Sequence, residues 1–243
     1  MRYREQIAEA PAGRWMECAW SLETAAGVRA YRVPPDGCVD IVYAPETGAQ
    51  VVGAMTVERR FDLAGGARTI GVRFHPGMAG ALLGAAPGEF TDRTVALEDV
   101  WGGRARQLES RLEDARSLDE WLRILRSALP PPRREPSGVQ RAIEAMTAAH
   151  GDLDLEWAAR HACLSGRQFR RRCLEESGLT PKRLCRVLRF RCARALAAQG
   201  ADWVSIASDA GYFDQAHLIR DFREFTGGPP MSVFSKTRAA TVG

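Results

Sequence analysis

No apolar run in the sequence is long enough to cross a bilayer. The longest uncharged apolar stretch, Pro76 to Ala86, falls well short of the roughly 20 residues a spanning helix needs. The start, Met1-Arg2-Tyr3-Arg4-Glu5, has no apolar core behind it to make a secretory leader. The expectation is a cytoplasmic protein with no membrane partner. The six cysteines, at 18, 38, 163, 173, 185 and 192, include no Cys-x-x-Cys pair, and His75, His150, His161 and His217 offer no short ligand spacing. No zinc or other metal site is therefore expected, and the cysteines read as buried small hydrophobes of a reducing compartment. Also missing are Gly-x-Ser-x-Gly, a phosphate-binding loop and a dinucleotide fingerprint. The chain reads as a non-enzyme, with no catalytic residue and no cofactor.

What is present is ordinary globular composition over 243 residues, 45% hydrophobic and 26% charged, enough for one or two domains. The net charge of +4 conceals a division. The segment Pro130-Pro131-Pro132-Arg133-Arg134-Glu135-Pro136 reads as a linker, since prolines remove backbone donors and favour extended geometry. Residues 1–137 hold 18 basic and 19 acidic side chains, and residues 138–243 hold 16 and 11. Between Arg167 and Arg194 there are ten basic residues against only Glu175 and Glu176. Such a density on two successive helices points to an anionic partner. The expected division is an N-terminal domain over 1–129, a linker over 130–137 and a basic C-terminal domain over 138–243.

The C-terminal part shows only helix signals. Ser137 with Gln140, and Ser165 with Gln168, are capping boxes. The second opens a helix that Gly178 ends. Thr180-Pro181 starts a helix whose apolar stripe is Leu184, Val187, Leu188, Cys192 and Ala195. Asp202 and Asp214 cap two more helices, to about Asp209 and Phe225. A repeat runs through this series: Ala159, the turn residue Cys163 and Phe169 recur as Ala207, Gly211 and Leu218, 48 to 49 residues later. A small residue on a short helix, a tight turn and a second helix make up a helix-turn-helix.

Two such units, at about 154–176 and 203–226, resemble the tandem helix-turn-helix domain of the AraC/XylS family of bacterial transcription regulators. The second unit carries the resemblance through Ile206-Ala207, Gly211-Tyr212-Phe213-Asp214-Gln215-Ala216-His217-Leu218, Arg220, Phe222, Gly227 and Pro230. The first carries it through Leu164-Ser165, Phe169, Arg171, Gly178 and Thr180-Pro181, with coverage from about Val139 to Phe234. Two departures are Cys173, where the family commonly has phenylalanine, and Cys163, at a turn position often held by glycine. The resemblance implies double-stranded DNA as partner, with RNA polymerase, a small-molecule effector and a second copy of the chain as further partners.

It also implies that the second helix of each unit enters the major groove. The base readers are then Arg167, Gln168, Arg170 and Arg171 in the first unit and Gln215, Ala216, His217 and Arg220 in the second. Arginine can bond guanine and glutamine can bond adenine through paired hydrogen bonds. Gln215 has the alternative of a simple helix-start residue, and His217 that of a buried or capping one. Arg172, Lys182, Arg183 and Arg189 are assigned to phosphates, adding affinity without sequence information.

The N-terminal part predicts strands at Arg29–Val33, Cys38–Tyr43, Val51–Val57 and Thr69–Phe74. A helix is expected from Pro76 to about Leu83, with others over about 97–112 and 118–129. The fold class is α+β, strands then helices, followed by an all-α tandem helix-turn-helix domain. Asp36-Gly37-Cys38-Val39-Asp40-Ile41-Val42 and Gly71-Val72-Arg73-Phe74-His75-Pro76-Gly77 resemble segments of the cupin-derived domains that precede AraC-type DNA-binding domains. Asp40, His75 and Glu89 read as structural or solvated groups rather than catalysts. The leading function is sequence-specific transcription regulation, as activator or repressor, by reading two successive major grooves under control of the N-terminal domain. The alternatives are a small-molecule-binding or enzymatic N-terminal domain with an autoregulatory DNA-binding half, and a nonspecific architectural DNA-binding protein.

Overall fold

The computed structural model describes residues 1–25, 27, 29–129 and 135–230. The first five residues of the expected linker, and the chain beyond Pro230 including Phe234, lie outside them. The N-terminal part is built on eight strands: β1 (Arg2–Ile7), β2 (Met16–Glu23), β3 (Arg29–Val33), β4 (Val39–Ala44), β5 (Gly48–Val52), β6 (Arg59–Leu63), β7 (Arg68–Phe74) and β8 (Thr94–Ala96). Six form an antiparallel sheet in the order β1-β2-β7-β4-β5-β8, and β3 pairs with β6 in a separate ribbon.

Period-two alternation gives the large sheet two different faces. Ala19, Ile41, Tyr43, Val51, Ile70 and Val72 point into the main core. There they meet α1 (Gly80–Leu83), α2 (Leu97–Trp101), α3 (Gly103–Asp114) and α4 (Leu118–Ser127). Tyr43 sets its ring edge-on to Trp121 of α4 at 5.3 Å. On the opposite face Cys18, Trp20 and Leu22 form a second, smaller core with Val42, Tyr31 of β3 and Leu63 of β6.

Strands β3, β4 and β7 fall where the alternation places them. The expected strand over Val51–Val57 ends at Val52 because Gly53 passes directly beneath the short 3-10 turn Pro87–Phe90, where a Cβ would collide with the Phe90 carbonyl. The helix expected over 97–112 breaks at Gly102 into α2 and α3. The helix expected from Pro76 is only the single turn of α1, since Met78 donates to the His75 carbonyl in a tight turn first.

The C-terminal part contains α5 (Gly138–Ala148), α6 (Leu155–His161), α7 (Gly166–Ser177), α8 (Pro181–Ala198), α9 (Trp203–Asp209) and α10 (Gln215–Thr226). Both capping boxes form, as do the Asp154, Thr180, Asp202 and Asp214 caps. The expected stripe on α8 is corrected in its second half. Cys192 is half-buried and Ala195 exposed, whereas Phe190 and Ala193 are fully buried. A helix with partners on several sides buries more than one stripe. Phe190 packs edge-on to Phe222 at 4.8 Å and lies 5.0 Å from Phe225, both on α10.

The N-terminal part rests on the same helices. Gly37 lies against Leu184 and Val187 of α8, and Gly77 against Ile143 of α5. The Gln140 side chain donates to the Gly77 carbonyl at 3.0 Å, Thr91 donates to the Gly178 carbonyl at 2.7 Å, and the Glu58 N–H donates to the Phe225 carbonyl at 2.6 Å. Arg191 of α8 pairs with Glu17 of β2. One continuous hydrophobic core therefore runs from the sheet through α8 to α10.

Helix α10 is tied to α8 by Arg186, which bonds Asp221 at 2.7 Å and also Glu224. Asp221 is buried, its side chain only 2% exposed. Removing one partner of such a pair strands the other, so Asp221→Ala is expected to cost on the order of 2–3 kcal/mol, less than a fully isolated pair because Arg186 keeps Glu224. Urea unfolding of the full chain measures this; a change below about 0.5 kcal/mol would contradict the role given to the pair.

Candidate nucleic-acid interface

The two helix-turn-helix units share one backbone pattern. In the first, the Leu164 N–H bonds the Ala159 carbonyl at 3.0 Å, and in the second the Tyr212 N–H bonds the Ala207 carbonyl at 2.9 Å. The turn residues Cys163 and Gly211 take the same left-handed backbone, with φ of 57° and 72°. Ala159 and Ala207 are buried, as close crossing of each helix pair requires. Cys163 itself is exposed, so the reading of the cysteines as buried is corrected at that position. At Cys173 the small thiol is buried and its Sγ lies 3.7 Å from the Ser177 hydroxyl, which also bonds the Cys173 and Leu179 carbonyls.

The first reading helix, α7, turns Phe169 and Cys173 inward and leaves Arg167, Gln168, Arg170, Arg171 and Arg172 in solvent. Arg171 and Arg172 lie only loosely beside Glu175 and Glu176, at 3.7 and 4.0 Å. Exposed pairs of this kind are worth a few tenths of a kcal/mol and yield readily to a phosphate or a base. Gln168 is engaged: its Oε1 accepts from the Ser165 N–H at 3.0 Å and hydroxyl at 2.9 Å, closing the capping box. The second reading helix, α10, exposes Gln215, Ala216 and Arg220 and buries Leu218 and Phe222. His217 is half-buried, with its ring edge-on to Tyr212 at 5.2 Å and its N–H capped by Asp214 at 2.6 Å.

Of the four residues assigned to phosphates, Arg172 and Lys182 are exposed. Arg183 and Arg189 are not placed with them. Arg183 turns toward the N-terminal part, where it bonds the Thr56 carbonyl and Glu224 and stacks on Phe225. Arg189 reaches the Gly151 carbonyl at 3.3 Å, and its guanidinium lies 6.0 Å from the Tyr212 ring centre. Both point into contacts within the chain because α8 is covered on the faces that carry them. Conversely, Phe213 has no role assigned from sequence, yet it is 95% exposed immediately before the Asp214 cap of α10. Its place in Gly211-Tyr212-Phe213-Asp214, directly before the cap, is the sequence signal that could have marked it.

The N-terminal polar residues that invite a catalytic reading have the following surroundings. Asp40 accepts from the Trp20 indole at 2.9 Å and pairs with Arg73 at 3.3 Å. The His75 ring contacts the Gly13 carbonyl at 3.2 Å, and Glu89 is exposed in the 3-10 turn. Among the described residues, no group of three or more His, Cys, Asp or Glu side chains is arranged to hold a metal, and no helix is long and apolar enough to cross a membrane.

Residues 158–236 match the family described as a helix-turn-helix domain, and residues 9–96 match one described as a domain of unknown function (DUF6597). Together with the paired turns and capped helices, this gives the chain the DNA-binding region of a transcription regulator. Its C-terminal region is a helix-turn-helix domain of the AraC type. No curated protein matches the chain. Solved structures similar to it include the DNA-binding domain of AdpA, a global transcriptional factor, in complex with a target DNA, at 22% identity over 44% of this chain and 100% of that one, with a TM-score of 0.41. Another is a single-residue variant of apo ToxT from Vibrio cholerae, at 12% identity over 89% of this chain and 96% of that one, with a TM-score of 0.44. A third is wild-type ToxT from the same organism with an unsaturated fatty acid bound, at 9% identity over 88% and 92%, with a TM-score of 0.42.

The matched turns differ in what they tolerate. A Cβ on Gly211 would meet Asp152 at 2.9 Å and would sit in a left-handed backbone. Gly211→Ala is therefore expected to lose about 2 kcal/mol or more of stability. Cys163 already carries that backbone strain, so Cys163→Gly should change stability by no more than about 1 kcal/mol, in the stabilising direction. Urea melts of the two variants check this; a Cys163→Gly variant as damaged as Gly211→Ala would refute the equivalence of the turns.

Proposed function

We propose that the protein is a sequence-specific regulator that reads two unlike half-sites in successive major grooves with α7 and α10. The observation that supports this best is the common build of the two helices. Each begins at a side-chain cap, anchors itself through buried residues and exposes cationic or amide side chains in its first two turns. Arg167, Arg170 and Arg171 read one half-site; Gln215, Ala216 and Arg220 read the other, with His217 beside them. Arg172 and Lys182 take phosphates. Gln168 positions α7 through its cap, and Phe213 offers an apolar surface where α10 meets the groove. The exposed groups differ between the helices, so the half-sites differ and no palindrome is needed. Helix α8, 18 residues long and so about 27 Å at 1.5 Å per residue, holds the pair together.

The N-terminal domain controls this reading through α8. It grips that helix at Gly37 and Arg191 and reaches α10 through Glu58, so a change in its shape bears on both reading helices at once.

The test is a base-by-base affinity scan of an operator selected from random DNA. Arg171→Ala should relax preference in one half-site and Arg220→Ala in the other, each at a cost of about 1–3 kcal/mol for a paired contact to a base. Loss at the same base positions in both variants, or uniform weakening on all sequences, would overturn the two-groove reading.

A further inference from the structure

Among the described residues, the face of the large sheet turned away from α1–α4 is covered by the β3–β6 ribbon, and the two do not close on each other. Between them lies a cavity of about 330 Å³, within the range of small-molecule sites. Its walls are mostly apolar and include four aromatic rings, Tyr3, Trp20, Tyr31 and Phe61. Val33, Val42, Val52, Met55 and Leu63 add to the apolar lining. Trp20 lies flat across Gly71 of β7, where any Cβ would run into the indole.

The charge of this cavity is one-sided. Among the described residues its lining holds the cation Arg73 and the carboxylates Asp40, Glu46 and Asp62, the last paired with Arg60 at 2.9 Å. Arg73 is already taken: it lies 3.3 Å from Asp40, 3.5 Å from Asp36 and 3.8 Å from Glu5. Asp36 also faces the Arg191 and Arg194 charges of α8, so at the inner end Asp40 and Glu5 stand against Arg73, next to the Trp20 and Tyr3 rings, whose centres are 6.1 Å apart. Burial lifts the Asp40 carboxyl to about 6 against the pull of Arg73, with Asp36 adding to the rise. An incoming anion would have to displace carboxylates from Arg73. An incoming cation gains both the carboxylates and the negative faces of the aromatic rings.

We propose that this cavity is a binding site for an amphipathic organic cation, its charged head beside Asp40 and Trp20 and its apolar body against Val33, Val42, Val52 and Met55. The binding claim stands apart from the two-groove reading. Its bearing on DNA rests on control by the N-terminal domain, so binding is measured without DNA.

Isothermal titration of the full chain with octyltrimethylammonium, 1-octanol and octanoate at pH 7.5 tests it, since the three share one tail and differ in head charge. The cation should bind at least tenfold more tightly than octanoate. Asp40→Asn should erase at least tenfold of that preference. Val42→Phe, which fills the cavity from a wall outside the main core, should abolish binding of the cation while the melting temperature shows the chain still folded. Equal or tighter binding of octanoate would make Arg73 the recognition group and overturn the proposal. So would cation binding that survives Val42→Phe, or no heat with any probe at millimolar concentration.

Discussion

Helix α8 is the constraint on which the rest of the molecule depends. It carries Leu184, Val187 and Leu188 toward one set of partners and Phe190 and Ala193 toward another, and all are buried. Through them it contacts the loop at Gly37, the phenylalanines of α10 and the first helix-turn-helix unit. Full burial of each of the leucine, valine and phenylalanine side chains is worth about 1.5–3 kcal/mol, so no partner can shift without affecting what the others rest on. The basic residues follow the same logic. Arg183, Arg186, Arg189 and Arg191 lie on α8 among its packed neighbours and are taken up by Thr56, Asp221, Gly151 and Glu17. The arginines of α7 and α10, by contrast, are left to solvent.

The division of charge seen along the chain thus has two physical meanings. Part of the basic excess between Arg167 and Arg194 is structural and neutralised within the fold. The other part, on α7, is opposed only by loose pairs with Glu175 and Glu176, which cost little to break. Counting charges along the sequence cannot separate these, because both sets sit at helical spacing on adjacent helices. Only the packing around α8 distinguishes an arginine that holds the fold from one that can meet a phosphate.

The helical half was legible because its signals are local. A serine or threonine cap, its glutamine three residues on and a glycine past the last turn each act within one turn of helix, and α5, α7, α8, α9 and α10 all start at their expected caps. The sheet was less legible. Strand β2 does alternate, Met16, Cys18, Trp20 and Leu22 against Glu17, Ser21 and Glu23, and that pattern marks it although it was not among the expected strands; β1 is exposed throughout and carries only Tyr3 and Ile7 as apolar residues, too few to mark a strand. The motifs around Gly37 and Gly77 were visible, but their work as the loops that seat on α8 and α5 was not, since that depends on residues more than 60 positions away. The cavity beneath β3 and β6 was equally hidden: it is a failure of two surfaces to meet, which no single segment encodes.

Native-state hydrogen exchange across a denaturant series measures the shared dependence on α8 most directly. The amides of Leu184, Val187 and Leu188 in α8 and those of Ile41 and Val72 in the sheet are the probes. If the sheet and the helix-turn-helix units are held by one core through α8, these amides open with one free energy and one denaturant slope. If α8 opens with a smaller free energy and slope while the sheet amides stay protected, the shared-core account is contradicted.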